Sequence, residues 1–419
     1  MRTYGQPLFA TVVAFAAAAC SSDPTGTAQT GASQTGVSQT TSVQSSSAQT
    51  SASRLGVTIS CAVAPTAATP ADANPSTDAG ASQDDAATAD DASDGDGTII
   101  DDKRKKDSGA PAADTRSAPS DAVGVASGIA LKVQPDDGES WFVTQIADAK
   151  TSVHLETYML TDTDITNALI AAKKRGVDVK VIVDPAPFGQ PTANQAAYNA
   201  LKSAGVGVEW SRSDVTYTHA KFMILDGNTL DVMTLNQTYS AYVYEREYAL
   251  VTTHPAAVNE AATLFAADYA KTSVSASLLV VSPVNSRADI THAIESAKKT
   301  LDIEVEEIDD ATIATALTSA VARGVTVRMI VNASEASSET AILSQLKAGR
   351  VEIRIMNANT TLDAKAMVVD GSSLFVGSEN FSTGSLDYNR EVGLFTTDPA
   401  SIARYETAFS TDFASATTP

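Results

Sequence analysis

The chain has 419 residues, of which 43% are hydrophobic, 6% aromatic and 19% charged. That length leaves room for two or three domains, with an adequate but unevenly spread core. Acidic residues outnumber basic ones by 50 to 29, for a net charge of -21, and the only two cysteines are Cys20 and Cys61. An acidic surface repels a phosphate backbone, which argues against broad duplex binding. Two cysteines exclude a disulfide scaffold and a cysteine-built zinc cluster.

The chain opens with Arg2 and an apolar run from Leu8 to Ala19. About twelve apolar residues are too few for a bilayer core that needs about twenty, and they suit the central region of a secretory signal. Ala17-Ala18-Ala19-Cys20 resembles the lipobox of bacterial lipoproteins. The resemblance implies a signal peptide over 1–19, acylation of Cys20, and an outer-membrane lipoprotein facing the periplasm or the surface, with Ser21 favouring the outer membrane. Cys61 is then without a partner in the chain. Residues 20–128 are rich in Ser, Thr, Ala, Gly, Gln and Asp. Such a segment buries too little apolar surface to offset its chain entropy and reads as a disordered tether. Lys103-Arg104-Lys105-Lys106 within it, flanked by Asp, reads as a solvated charge run.

The remainder is written twice. Gln145–Lys150 is echoed by His292–Lys298, and Ser152–Thr157 is followed in the second copy by Leu301–Glu306. A helical stretch comes next in each copy (Ile165–Arg175, Ile313–Arg323), stopped by Gly176 or Gly324, where glycine supplies a left-handed cap. Valine-rich strands follow, Val177–Val183 and Val325–Val331. This order predicts α/β layered domains. The boundary falls near Ala276, giving domains over 129–276 and 277–419 of roughly 140 residues each.

Each copy closes on one constellation. The first runs His219, Lys221, Asp226, Met233-Thr234-Leu235-Asn236 and Glu247; the second runs Asp363, Lys365, Asp370, Gly377-Ser378-Glu379-Asn380 and Glu391. The steps between His219 or Asp363 and the later Lys, Asp, Asn and Glu are two, five, ten and eleven residues in both. Residues i and i+2 of a strand share a face, so His219 and Lys221 project together and Asn236 can join them from an adjacent strand. Imidazole, ammonium and amide on one face suit a tetrahedral anion, with a neutral His attacking phosphorus and Lys and Asn holding its oxygens. Glu247 is placed to accept the other ring N–H, and Asp226, on the opposite face, reads as structural.

H-x-K-x4-D followed by G-S-x-N, occurring twice, is similar to the phospholipase D superfamily over roughly Ile129 to Ala414. The resemblance implies two α/β/α sandwiches related by a pseudo-twofold axis, one active site built by a monomer from both copies, and metal-free, cofactor-free phosphodiester chemistry through a phosphohistidine. It assigns His219 as nucleophile and Glu247 as its orienting partner. Lys221, Lys365, Asn236 and Asn380 become phosphate ligands. Thr234, Ser378, Asp226 and Asp370 complete the motifs.

The sequence departs from the family pattern in two places. Met233-Thr234 replaces Gly-Ser, putting bulk near the site, and Asp363 stands where a second histidine would protonate the leaving alkoxide. His154, His254 and His292 are placed on other elements and do not substitute. Asp363 could act as an acid only with a raised pKa, which a neighbouring Glu391 would favour and the two lysines would oppose. Tyr158, Tyr217, Tyr239, Tyr242 and Tyr244 are candidates for the pocket or for packing. The reading is a phospholipase D-like phosphodiesterase acting on phospholipid at a membrane, with nucleic acid disfavoured. The alternatives are a catalytically silent headgroup-binding lipoprotein and a phospholipase D-family endonuclease.

Overall fold

A computed structural model describes residues 124, 128–333, 340–357 and 359–419. The signal segment, Cys20, Cys61, the basic run 103–106 and the tether up to residue 123 lie outside the described residues. Among the described residues, no helix is long and apolar enough to cross a membrane.

The first half contains β1 (Ile129–Gln134), α1 (Ser140–Asp148), β2 (Ser152–Thr157), α2 (Thr163–Lys174), β3 (Asp178–Val183), α3 (Gln195–Ser203), β4 (Gly207–Trp210), β5 (Phe222–Leu225), β6 (Thr229–Met233), α4 (Tyr239–Val243), β7 (Glu245–Thr252) and α5 (Pro255–Ala270). The second repeats the plan with β8 (Leu279–Ser282), α6 (Ser286–Ser296), β9 (Thr300–Val305), α7 (Ala311–Ala322), β10 (Thr326–Val331), α8 (Thr340–Ala348), β11 (Glu352–Ile355), β12 (Thr361–Leu362), β13 (Lys365–Val369), β14 (Ser373–Gly377), α9 (Thr383–Asp387), β15 (Glu391–Thr396) and α10 (Pro399–Ser415).

Local chemistry sets these limits. Asp162 caps α2 by accepting from the backbone N–H of Asp164 (2.8 Å), and Asp310 caps α7 from Thr312 (2.9 Å). Such side chains satisfy donors that a helix start leaves open. Gly176 and Gly324 end the same helices at φ +93° and +97°, as the sequence predicts. Pro255 and Pro399 begin α5 and α10, where no backbone N–H is needed.

The strand orders match: β1-β7-β6-β5-β2-β3-β4 in one sheet, with β12 added beside β7, and β11-β10-β9-β13-β14-β15-β8 in the other. β2, β3 and β4 are parallel, while β5, β6 and β7 run antiparallel. The motif strands β5 and β13 are buried throughout, because both sheet faces are covered, and so they read as continuous apolar runs rather than alternating ones.

Two cores, one in each half, lie under the outer helices, around Leu155, Val181 and Leu169 and around Ile303, Met329 and Leu317. The third joins the halves: Phe222, Val232, Leu250 and Phe265 pack with Ala366, Leu374, Val392, Tyr405 and Phe409. Each large apolar side chain buried there contributes on the order of 1.5–3 kcal/mol. Two reciprocal ion pairs fix the register of this interface. Arg246 Nε reaches Asp412 of α10 at 2.6 Å, and Arg390 Nε reaches Asp268 of α5 at 3.0 Å. A charge pair this deep adds little net stability, but removing either partner leaves the other short of counter-charge, although Asp268 keeps Arg212 at 2.8 Å.

Candidate active site

The chain approaching each motif strand pairs with the opposite half. Thr216 N donates to Tyr388 O, Arg390 N to Tyr217 O and His219 N to Arg390 O, all at 2.8 Å. The counterpart joins Thr361 N to Tyr244 O (3.2 Å) and Asp363 N to Arg246 O (3.4 Å). These bonds place His219 beside Glu391 and Asp363 beside Glu247. The expectation that Glu247 orients His219 is therefore corrected, because each motif meets the acid of the other copy. The expected Asp363–Glu391 neighbourhood is corrected for the same reason.

His219 Nδ1 lies 2.9 Å from Glu391 Oε2 and 3.2 Å from Oε1. A carboxylate only accepts, so Nδ1 carries the proton and Nε2 keeps its lone pair. Lys221 Nζ donates to that lone pair at 2.7 Å. The Tyr158 ring stands edge-on to the imidazole, 4.7 Å between centroids. Burial pushes the His219 pKa below its ordinary value despite the pull of Glu391, and the two lysines push it the same way. Burial alone would raise Glu391, but the His219 ring, Lys221 and Ser378 bring it below the usual carboxylate range. Ser385 Oγ (2.7 Å) and Asn389 Nδ2 (3.1 Å) also donate to its Oε1. Lys221 is fully buried and is pushed down to about 8 by burial and by Lys365.

The second half is a carboxyl cluster around Lys365. Lys365 Nζ contacts the Asp363 carboxylate, the Asp363 carbonyl oxygen (2.5 Å) and Glu306 Oε2 (2.7 Å). Burial works against this ammonium, but Asp363, Glu306 and Glu247 raise its pKa. Burial would also raise Asp363; Lys365, a hydrogen bond from Glu306 and Lys221 override it and hold Asp363 low. Glu306 and Glu247 are both raised, each by burial first and by Asp363 next. The shifts therefore run in opposite directions, Asp363 towards the anion and its carboxyl neighbours towards the protonated form. Glu245, Glu247 and Asp363 bring oxygens within 4.8 Å of one another. The Lys365 ammonium supplies the counter-charge there, so these carboxyls are not read as metal ligands.

A cleft of about 560 Å³ runs between the halves, lined by Tyr158, Phe188, Tyr217, His219, Asn236, Glu306, Asp363 and Asn380 among others. His219 and Asp363 thus share one cavity. Lys221, Lys365, Glu247 and Glu391 are fully buried and do not line it. Asn236 Oδ1 and Asn380 Oδ1 have no protein partner, while Asn380 Nδ2 donates to Glu306 Oε2 at 3.3 Å. Asn236 lies past the end of β6 rather than within it.

Thr234 and Ser378 play matching parts. Their hydroxyls accept from Tyr248 N (2.8 Å) and Val392 N (2.9 Å), and each bonds the acid of its own copy, Glu247 and Glu391. Met233 is fully buried in the first half's core, facing Ala249 on β7, so its bulk does not enter the cleft. In the second half Gly377 faces Gly393, and a Cβ on Gly377 would lie 2.2 Å from the Glu379 carboxylate. Asp226 and Asp370 sit at φ +51° and +53°. Asp226 accepts three backbone N–H bonds from Lys150, Thr151 and Ser152 at 2.7–3.0 Å, and Asp370 does the same with Lys298, Lys299 and Thr300. These are turn anchors remote from the cleft.

Of the tyrosines, Tyr158 and Tyr217 line the cleft, Tyr242 is buried on Gln237, and Tyr239 and Tyr244 are exposed. His154 bonds Asp178, His254 precedes α5 and His292 lies on α6. Sequence reasoning missed Glu306. Its signal was a carboxylate two residues after Glu304, just past the end of a strand that is otherwise buried.

The family described as "Cardiolipin synthase, PLD-like domain" matches residues 142–269 and 290–413. The chain belongs to this phospholipase D-like family. The mitochondrial cardiolipin hydrolase of Danio rerio is 28% identical over 116 residues, covering 28% of this chain and 50% of that protein. A phospholipase D of Rickettsia conorii is 28% identical over 102 residues, covering 24% of this chain and 51% of that protein. The chain spans about half the length of the curated relatives it matches. The phosphatidylserine synthase structure from Haemophilus influenzae has the same fold, with a TM-score of 0.55 at 14% identity over 68% of this chain and 87% of that one. A polyphosphate kinase from Porphyromonas gingivalis gives 0.55 at 16% identity, over 67% of this chain and 50% of that chain.

Proposed function

We propose that this chain is a phosphodiesterase that hydrolyses or transfers phosphatidyl groups through a phosphohistidine at His219. The observation that carries the reading is the 2.9 Å contact between His219 Nδ1 and Glu391, which keeps the ring proton on Nδ1 and the nucleophilic lone pair on Nε2. As the Nε2–P bond forms, Glu391 stabilises the positive charge that develops on the ring. Lys221 turns from Nε2 to a phosphate oxygen, and Lys365 and the amides of Asn236 and Asn380 supply the other donors. Phospholipid is favoured as substrate by the similarity to a cardiolipin hydrolase and a phospholipase D and by a net charge of -21, which opposes a nucleic-acid polyanion. Acylation of Cys20 and an outer-membrane location belong to the same proposal.

The test is headgroup release from mixed phospholipid vesicles by the wild type and His219→Ala, with plasmid and single-stranded DNA assayed in parallel. Loss of release in His219→Ala supports the reading. Equal release by both proteins rejects it, and DNA cleavage without lipid release moves the assignment to an endonuclease. EDTA sensitivity counts against the family mechanism. The low pKa of Asp363 and the engagement of Lys365 by two carboxyls favour a second reading, a silent headgroup-binding site. Under that reading the wild type binds vesicles without turnover, and Asp363→His gains activity.

A further inference from the structure

We propose that Glu306 is the proton donor to the leaving alkoxide, standing in for the imidazole that this chain lacks in its second motif. The inference rests on the phosphohistidine reading of His219. Asp363 occupies the histidine's place in the sequence, but its carboxylate is bound to the Lys365 ammonium. Glu306 lies just past β9, at the position that pairing with β13 makes equivalent to Tyr158 past β2. Tyr158 overhangs His219, and Glu306 occupies the matching place over Asp363. Its side chain is 31% exposed and lines the cleft that also holds His219. Glu245 and Glu247 do not line that cleft.

The contacts on Glu306 define where a proton sits. Lys365 Nζ (2.7 Å) and Asn380 Nδ2 (3.3 Å) both point to Oε2, making it the accepting oxygen. The other oxygen is left for O–H. Glu306 and Asp363 both contact the one Lys365 ammonium, and two carboxyls crowded on a single cation favour a proton on one of them. The titratable groups facing the pair are Lys365 from β13, Lys221 from the segment before β5, and Glu245 and Glu247 of β7. Burial and the Asp363 carboxyl raise the Glu306 pKa, and Lys365 lowers that of Asp363.

In the first step the His219 Nε2 lone pair forms a bond to phosphorus, the P–O bond to the alkoxide breaks, and the Glu306 proton passes to the departing oxygen. Glu306 is left as a carboxylate. In the second step that carboxylate takes a proton from water or an alcohol, whose oxygen bonds phosphorus. The P–N bond then breaks, its electron pair returns to Nε2, and Glu306 regains its proton.

Leaving-group dependence tests this. The full chain and its Glu306→Gln, Glu306→Asp and His219→Ala variants are assayed on an alkyl phosphodiester and on bis(p-nitrophenyl) phosphate. The nitrophenolate leaves without needing an acid. General acid catalysis is worth about 10²–10⁴-fold, so Glu306→Gln loses that much on the alkyl diester. On the nitrophenyl diester it keeps a burst of about one nitrophenolate per enzyme, followed by slow turnover. Glu306→Asp recovers part of the alkyl activity. A His219-dependent burst with Glu306→Gln equal to wild type on both substrates overturns the proposal. So does an equal loss on both substrates with no burst, which is the signature of a structural role. No burst from the wild type, or the same burst from His219→Ala, rejects the phosphohistidine reading instead.

Discussion

Glu391→Gln is the sharpest perturbation of the site, because it removes one charge and leaves the shape unchanged. Glu391 Oε1 accepts from Ser385 and Asn389, and these fixed donors keep the amide oxygen of a glutamine on their side. The amide NH₂ then faces His219 Nδ1, now 2.9 Å from Oε2. Nδ1 must become the acceptor, which moves the ring proton to Nε2 and removes the nucleophilic lone pair. Loss of the charge-assisted bond alone costs about 1.5–3 kcal/mol, or roughly 10–150-fold. Reversal of the tautomer is worth up to about 10⁴-fold where it has been isolated in a serine protease triad. We therefore expect kcat on bis(p-nitrophenyl) phosphate to fall by about 10³–10⁴-fold. KM should stay within about threefold, since Glu391 does not line the cleft. Glu247→Gln, whose carboxyl bonds Thr234 and not the imidazole, should cost less than about tenfold in kcat. Thermal melts establish that both variants are folded. A folded Glu391→Gln within tenfold of wild type, or Glu247→Gln losing as much, would refute the crossed assignment.

Other expectations concern stability. Asp231 is fully buried and pushed up to about 8, chiefly by burial. A carboxyl whose folded pKa exceeds its unfolded one binds more protons in the native state, so its stabilising effect is full below about 4 and fades as pH rises to about 8. Asp231→Asn should therefore raise Tm at pH 8 by more than at pH 5; an equal shift at both would show that the buried carboxyl does not titrate. Arg390→Ala leaves Asp268 paired with Arg212 alone (2.8 Å) in the interface between the halves, and urea denaturation should show a loss of about 1–3 kcal/mol. The Arg390→Ala, Asp268→Ala double variant should lose less than the sum of the singles, whereas additivity would mean the pair is uncoupled. Asp226→Ala removes the acceptor of three backbone donors at φ +51°. It should cost about 1–3 kcal/mol, with Asp226→Asn milder because asparagine tolerates that backbone region. Activity per folded molecule should be unchanged, and a selective loss of kcat would place Asp226 in the chemistry.

The residues themselves determined much of this molecule. Two copies of one spacing fixed which side chains belong to each motif, because a strand and its neighbour can converge on one face only at particular separations. The glycines after α2 and α7 marked helix ends, and the apolar strands marked covered sheets. Asp226 and Asp370, spaced five residues after the lysines, were legible as structural, and they sit in the turns after β5 and β13.

What only the tertiary structure decided is which copy serves which. Glu247 is the acid nearest to His219 in its own copy, yet Glu391 reaches the ring, since the backbone before each motif pairs with the last strand of the opposite half. A crossed contact has no period along the chain, and no local pattern records it. Protonation is decided in the same way. The Asp363 pKa falls and the Glu306 pKa rises because of where Lys365 and the cleft fall in space, and burial acts on a carboxyl only after the chain has folded around it.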